Sequence, residues 1–244
     1  MRLDYIDNVD CLKGLEDVPD NAVDMVLCDL PYGTTHCRWD VVIPLDALWK
    51  HYNRILKPDG AAVLFAAQPF TTQLIQSNRR AFRYCWYWLK SHQTGFPFAK
   101  YQPMRKVEEI CVFYKKHGTY NPQGLREIEN PRPNRRKTIK ADCIVDMSTL
   151  ANEYTKRFTN YPHNVLSFKG ERGLHPTQKP VGLCEYLIKT YTNPGEVVLD
   201  NCMGSGTTAE ACINTGRRFI GFELSAEYHR IASERVAAAF RASS

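Results

Sequence analysis

The stretch Glu196-Val197-Val198-Leu199-Asp200-Asn201-Cys202-Met203-Gly204-Ser205-Gly206-Thr207-Thr208 decides how the rest of this chain is read. A short apolar run ends in a carboxylate, two glycines bracket a serine, and a helix-compatible segment follows through residue 214. Strand, tight loop and helix in that order form the repeating unit of a mostly parallel α/β sheet. Gly204 and Gly206 carry no Cβ, so a ligand can approach the loop backbone closely. No Gly-Lys-Ser/Thr follows, so the loop lacks a phosphate-binding lysine, and Ala209 stands where a dinucleotide-binding loop has its third glycine. A pyrophosphate ligand is therefore disfavoured.

Residues 218–223 read as the next strand. It ends on Glu223, 17 positions after Gly206. A carboxylate in that place can accept both hydroxyls of a ribose. Loop and carboxylate together point to a nucleoside cofactor without a pyrophosphate, and S-adenosylmethionine fits. The plain alternative is a structural turn beside a surface glutamate; for the loop alone the two readings stand about even.

The same alternation extends to both sides. A buried strand over 23–28 runs into Asp29-Leu30-Pro31-Tyr32-Gly33. Apolar spacing predicts helices over 45–56 and 69–78, strands over 61–66, 82–90 and 109–114, and helices over 180–191 and 226–240. Ligands of open α/β sheets bind outside the carboxyl ends of the strands, which is where Asp29 to Tyr32 fall. Asp29 and the carbonyl of Leu30 or Pro31 can accept the two hydrogens of an exocyclic amine, and Tyr32 offers a ring on which a base can stack. Holding both hydrogens pulls the nitrogen toward sp³ geometry and frees a lone pair otherwise delocalised into the base. Standing alone, Asp-x-Pro-Tyr would be an ordinary turn.

The chain has 244 residues, 43% of them hydrophobic, enough for one α/β domain with an elaboration. It has no stretch approaching a membrane span and no signal-peptide pattern at its start. Nine cysteines without a Cys-x-x-Cys pair fit reduced thiols in a cytoplasmic protein rather than disulfides or a metal site. The net charge is +6, unevenly spread: residues 79–140 hold 15 Lys and Arg against 4 Asp and Glu, a balance of +11, and the remainder carries −5. A basic middle between mildly acidic flanks points to a nucleic-acid partner.

Taken together, these motifs resemble the amino-methylating DNA methyltransferases, which modify adenine N6 or cytosine N4. The family's catalytic Asp/Asn/Ser-Pro-Pro-Tyr/Phe corresponds to Asp29-Leu30-Pro31-Tyr32, and its Phe-x-Gly-x-Gly cofactor loop to Cys202-Met203-Gly204-Ser205-Gly206. The segment His175-Pro176-Thr177-Gln178-Lys179-Pro180 matches the family's motif before the first cofactor strand almost letter for letter. Asp10 stands where members place an acid near the cofactor adenine. Trp88-Leu89-Lys90 and the run 103–110 are similar to its middle strands. The catalytic loop precedes the cofactor loop, the circularly permuted order of the family's β group.

The resemblance implies a Rossmann-like S-adenosylmethionine-dependent methyltransferase fold in three parts. These are a first catalytic half over 1–116, a loop-rich basic target-recognition insert over 117–173, and a cofactor-binding second half over 174–244. It implies catalysis by Asp29, Leu30, Pro31 and Tyr32. It implies cofactor binding by Asp10, Cys11, Asp29, Thr177, Lys179, Asp200, Cys202, Gly204, Gly206, Thr207 and Glu223. The expected substrate is adenine N6 in double-stranded DNA, with the target base flipped into the pocket; Asp rather than Ser at position 29 favours adenine. Cytosine N4, the same chemistry on RNA, or an inactive DNA-binding homologue are the alternatives. A restriction-modification setting in a bacterial or phage-infected cell is expected, and dimers are common in the group, so a homodimer is a partner the resemblance allows. Two departures stand out: Leu30 replaces the first proline but keeps the backbone carbonyl, and Cys202 replaces a phenylalanine ring near the cofactor.

Within the insert, Arg132, Arg135, Arg136, Lys137 and Lys140 are expected on DNA phosphates, supplying affinity rather than sequence choice; a solvated charged loop is the competing reading. Trp39 reads as core or pocket lining, with Asp40 beside it. His36 reads as a bystander, because a methylated amine is acidic enough to need no strong base. His92 and Lys100 are either DNA contacts or merely exposed, and Cys11 reads as an apolar wall of the cofactor site.

Overall fold

The structure, a computed structural model, describes residues 1–33, 41–135, 153–171, 173 and 178–243. They form two compact units, one of Met1–Asn121 with Asn164–Ser244 and one of Pro122–His163.

The chain runs β1 (Tyr5–Asp7), α1 (Cys11–Glu16), β2 (Val23–Asp29), α2 (Leu45–Ile55), β3 (Leu56–Ala66), α3 (Phe70–Ser77), β4 (Phe82–Thr94) and β5 (Arg105–Tyr114). Four short strands follow, β6 (Arg126–Glu127), β7 (Pro133–Arg135), β8 (Glu153–Thr155) and β9 (Phe158–Thr159). The last stretch holds β10 (Val165–Phe168), α4 (Val181–Tyr191), β11 (Val197–Asp200), α5 (Thr207–Thr215), β12 (Arg218–Phe222) and α6 (Ala226–Ser243).

The larger unit is built on one eight-stranded sheet in the order β1-β12-β11-β2-β3-β5-β4-β10. It is mostly parallel; β5 runs antiparallel to both of its neighbours. β2 is buried along its length up to Asp29, which suits a central strand. Its side chains alternate between two cores, as the period of two requires. Met25 and Leu27 pack with Leu183, Leu187, Ile188, Ala209, Cys212 and Ala232, from α4, α5 and α6. Val26 and Cys28 pack with Leu15, Leu48, Tyr52, Ile55, Phe70 and Leu74, from α1, α2 and α3. Three helices therefore cover each face, the Rossmann-like arrangement expected. Asp24 fixes the seam between the two halves of the chain: its Oδ2 accepts the Val197 N–H at 2.9 Å and its Oδ1 the Lys57 ammonium at 2.6 Å.

The connection from β11 through α5 leads to β12 on one side, and that from β2 through α2 leads to β3 on the other. The order of the sheet thus reverses between β11 and β2, which are hydrogen-bonded neighbours. A crevice opens at the carboxyl ends of two such strands, and it is there that Asp29 and Asp200 stand.

Three differences from the sequence reading have physical causes. β1 and α1 carry too few residues for periodicity to detect, three and six. Asp10 caps α1, accepting the N–H groups of Leu12 at 3.0 Å and Lys13 at 3.3 Å. β4 and β5 outrun their expected ends at 90 and 109, because pairing continues as far as Thr94 opposite Arg105 after the apolar pattern has stopped. β3 begins at Leu56 rather than at 61, with an irregular register against β2 between Val23 and Met25.

Among the described residues, the smaller unit holds two antiparallel ladders, β6 with β9 and β7 with β8. The Asn160 amide donates to the Gly124 carbonyl at 2.7 Å. Among the described residues, no helix is long and apolar enough to cross a membrane.

Candidate functional site

A cavity of about 800 Å³ lies at the carboxyl ends of the central strands of the larger unit. Twelve of the residues expected to catalyse or to bind cofactor line it: Asp10, Cys11, Asp29, Leu30, Pro31, Tyr32, Lys179, Asp200, Cys202, Gly204, Thr207 and Glu223.

One end is a line of charges. Asp29 closes β2. Its Oδ1 accepts the Tyr32 hydroxyl at 2.8 Å and its Oδ2 the Lys179 ammonium at 2.5 Å. Lys179 Nζ is also 3.6 Å from Glu108 Oε2, and Lys90 Nζ donates to Glu108 Oε1 at 3.0 Å. Signs alternate from Lys90 through Glu108 and Lys179 to Asp29, so the buried Lys179 and its three half-buried neighbours each face a counter-ion. Burial works to lower the Lys179 ammonium, but the Asp29 and Glu108 carboxylates outweigh it and hold the ammonium above its ordinary value. Burial likewise works to raise the Glu108 carboxyl, and Lys179 and Lys90 outweigh it and hold it below. Burial, with Asp29 beside it, pushes the Tyr32 phenol well up, so it stays a donor. Phe70 stacks on the Tyr32 ring at 5.2 Å between centroids.

The other end is made of backbone. Asp200 staples the glycine loop to α5, accepting the Cys202 N–H at 3.0 Å and the Thr208 hydroxyl at 2.6 Å. Burial pushes its carboxyl up to about 6. Glu223 Oε2 accepts the Gly204 N–H at 2.7 Å and Oε1 the Ser225 N–H at 2.8 Å. Each carboxylate oxygen keeps further lone pairs for a ligand. Burial raises the Glu223 carboxyl as well.

The two glycines differ in kind. Gly204 has φ +54°, and a Cβ there would meet nothing nearer than 4.0 Å, so its open side belongs to the cavity. Gly206, at φ +84°, does not line the cavity. A Cβ there would press on Ala232 of α6 at 3.1 Å, so its task is the turn and the close approach of that helix. Cys202, in place of the family's ring, sits between the thiols of Cys11 and Cys28 and takes a 3.4 Å contact from the Asn201 amide. Thr207 is buried, and its hydroxyl accepts from Arg235 at 3.1 Å.

Other expected residues fall elsewhere. Arg132 is exposed in the smaller unit, and Arg135 contributes backbone to β7. His36, Trp39, Asp40, Arg136, Lys137, Lys140, His175, Pro176 and Thr177 lie outside the described residues. Sequence reasoning passed over Glu108 and Lys90 as site residues. The available signal was a carboxylate at the edge of an apolar strand, Glu108-Glu109-Ile110, but only the register of β4 on β5 brings Lys90 to it.

The profile of the N6/N4 DNA methylase family matches residues 23–234. The Escherichia coli protein YubD is 48% identical over 68 residues, a local match spanning 28% of this chain and 30% of that protein. The DNA adenine methyltransferase YhdJ of Escherichia coli is 27% identical over 247 residues, 93% of this chain and 80% of that one. Among solved structures, the PvuII DNA methyltransferase (cytosine-N4-specific) superposes with a TM-score of 0.69 at 18% identity, covering 98% of this chain and 91% of that one. The M1.HpyAVI–SAM complex superposes with a TM-score of 0.66 at 23% identity, covering 95% of this chain and 98% of that one.

Proposed function

The chain belongs to the N6/N4 family of DNA methylases, and from that premise we propose that it transfers the methyl group of S-adenosylmethionine to N6 of adenine in duplex DNA. The observation that carries this reading is that Asp29 and Glu223 line one cavity. Its volume of about 800 Å³ falls in the range of small-molecule sites. The cofactor fits the groups present: Gly204 leaves open space against its backbone, and Glu223 has lone pairs to spare for a ribose. Bound there, S-adenosylmethionine supplies a methyl group carried on a positively charged sulfur.

The protein's own residues do the rest. Lys179 and Tyr32 fix the Asp29 carboxylate from two sides. Asp29 and the carbonyl of Leu30 or Pro31 then accept the two amino hydrogens of the base, which directs the nitrogen lone pair at the methyl carbon. Phe70 backs one face of Tyr32, and the other face takes the extruded base. The methylated amine gives up its proton readily, to Asp29 or to water, so no further base is required. Asp at position 29 supports adenine as the target. Residues 117–173, with the compact unit Pro122–His163 inside them, act as the target-recognition part, and Arg132, Arg135, Arg136, Lys137 and Lys140 meet phosphates there.

The test is incubation with methyl-labelled cofactor and PCR-amplified duplex DNA, followed by digestion to nucleosides. Label on N6 of deoxyadenosine is the expected result. Label on N4 of deoxycytidine would replace the adenine reading, and tight DNA binding without transfer would replace the enzyme with a binding protein.

A further inference from the structure

β4, at 13 residues the longest described strand, is joined to β5 in a hairpin. Its shafts line the cavity: Lys90, Ser91, His92, Thr94, Arg105 and Val107 all face it. Its tip turns through Gly95, at φ +97°, and a 3₁₀ turn, Phe96–Phe98. Three aromatic side chains stand out in solvent within six residues: Phe96 is 78% exposed, Phe98 58% and Tyr101 87%. Such a cluster adds little to folding and calls for an occupant. The surrounding charge says which. Between Lys90 and Val107 the sequence contains Lys90, Lys100, Arg105 and Lys106 and no acidic residue. Of the 15 basic residues in the chain's basic middle, nine precede His117 and so lie ahead of the insert.

We infer that the tip of this hairpin, residues 95–102, is a DNA-contacting wedge. Phe96 and Phe98 enter the duplex beside the nucleotide offered to Asp29, while Lys100, Arg105 and Lys106 take the flanking phosphates. The inference rests on the proposed function, since it needs a base drawn out of a duplex. Extrusion leaves a gap in the stack, and apolar side chains inserted at a base step offset the lost stacking. A tip that rises from the rim of the cavity is placed to fill that gap on the same strand. The basic residues behind it neutralise phosphates whatever the sequence.

The experiment uses the full chain, PCR-amplified duplex DNA and the same DNA heat-denatured. The wild type is measured first; if it neither binds nor methylates the duplex, the proposed function fails and the wedge with it. In Phe96→Ser/Phe98→Ser, transfer to duplex should fall about tenfold in kcat/KM, the size of a lost base–aromatic stack. Transfer to denatured DNA should fall far less, because nothing must be extruded there. Cofactor binding by calorimetry and the melting temperature should stay at wild-type values. In Lys100→Gln/Arg105→Gln/Lys106→Gln, the slope of log K against log salt should flatten by about 2 to 3, for three lost phosphate contacts. Wild-type duplex transfer in the first variant together with a wild-type slope in the second overturns the wedge. A shift in oligomeric state with unchanged DNA binding also overturns it, and makes the tip a contact between copies of this chain.

Discussion

At one end of the cavity Asp29, Lys179, Glu108 and Lys90 alternate in sign; at the other, Glu223 is held by the N–H groups of Gly204 and Ser225. Both ends hold a carboxylate, and the environments push in opposite directions. Lys179 is held up and Glu108 down, so the ionised form of each is favoured. Burial raises Glu223 and lifts Asp200 to about 6, so at the glycine-loop end burial disfavours the ionised forms. In the proposed function, the carboxylate that receives the amine is fixed by an ammonium and a phenol. The one proposed to grip the ribose hydroxyls is fixed by backbone N–H groups. The proposed division between chemistry and binding thus has a counterpart in what holds each acid.

The sharpest way to break this contrast is Asp29→Ala. Transfer should fall by about three orders of magnitude, as when a group aimed at the reacting centre is removed, with cofactor affinity by calorimetry unchanged. Retained turnover would remove Asp29 from the chemistry. Next in size is Lys179→Met, which leaves Asp29 and Glu108 without their shared cation. Urea denaturation should show a loss of about 3 kcal/mol, the scale of a broken buried pair. A loss under about 1 kcal/mol, the scale of an exposed pair, would mean the line of charges is solvated in solution. Glu223→Ala should weaken cofactor binding by about 2 kcal/mol, the worth of hydrogen bonds to a charged group, and leave kcat at saturating cofactor nearly intact. A fall confined to kcat would merge the two ends into one function.

The smallest expected effect concerns Asp200. Its folded carboxyl titrates near 6, above the 3.8 of an ordinary aspartate. Between those values the folded chain keeps a proton that the unfolded chain has released. Its contribution to stability therefore declines as pH rises from about 4 to about 6. Asp200→Asn, which imitates the protonated form, should lack that decline when urea midpoints are compared across the window. Parallel pH profiles for the two proteins would show that Asp200 is not the group responsible.

How much of this could be read without coordinates depended on whether a feature is local. β2 and β11 announce themselves as apolar runs stopped by Asp29-Leu30-Pro31 and by the glycine loop, and α2 and α4 by apolar spacing. The cavity follows from two strand ends at a reversal of the sheet. The pairing of Lys90 with Glu108 does not, because it depends on a register across β4 and β5 that extends past their apolar segments. Neither does the difference between the glycines: Gly204 and Gly206 look alike in sequence, and only α6, through Ala232, separates a ligand-facing position from a packing one. Irregular, arginine-rich sequence places the expected phosphate contacts in the insert, although the positive charge is not concentrated there. Nine of the 15 basic side chains in residues 79–140 belong to residues 79–116.

The seam between β2 and β11 also sets a clock. β2 is made early and its neighbour on that side late, 171 residues after Asp29 if Asp200 is taken as the far wall. At about 5 to 20 residues per second, a ribosome needs roughly 10 to 30 s to cover that distance. For that interval the nascent chain has β2 and β3 but not β11, which pairs the other edge of β2, and β1 is without its partner β12. An unpaired edge of that kind is an invitation to other strands. Until β11 and β12 have been made, each new copy therefore lacks part of the cavity's wall and leaves one edge of β2 without its strand partner.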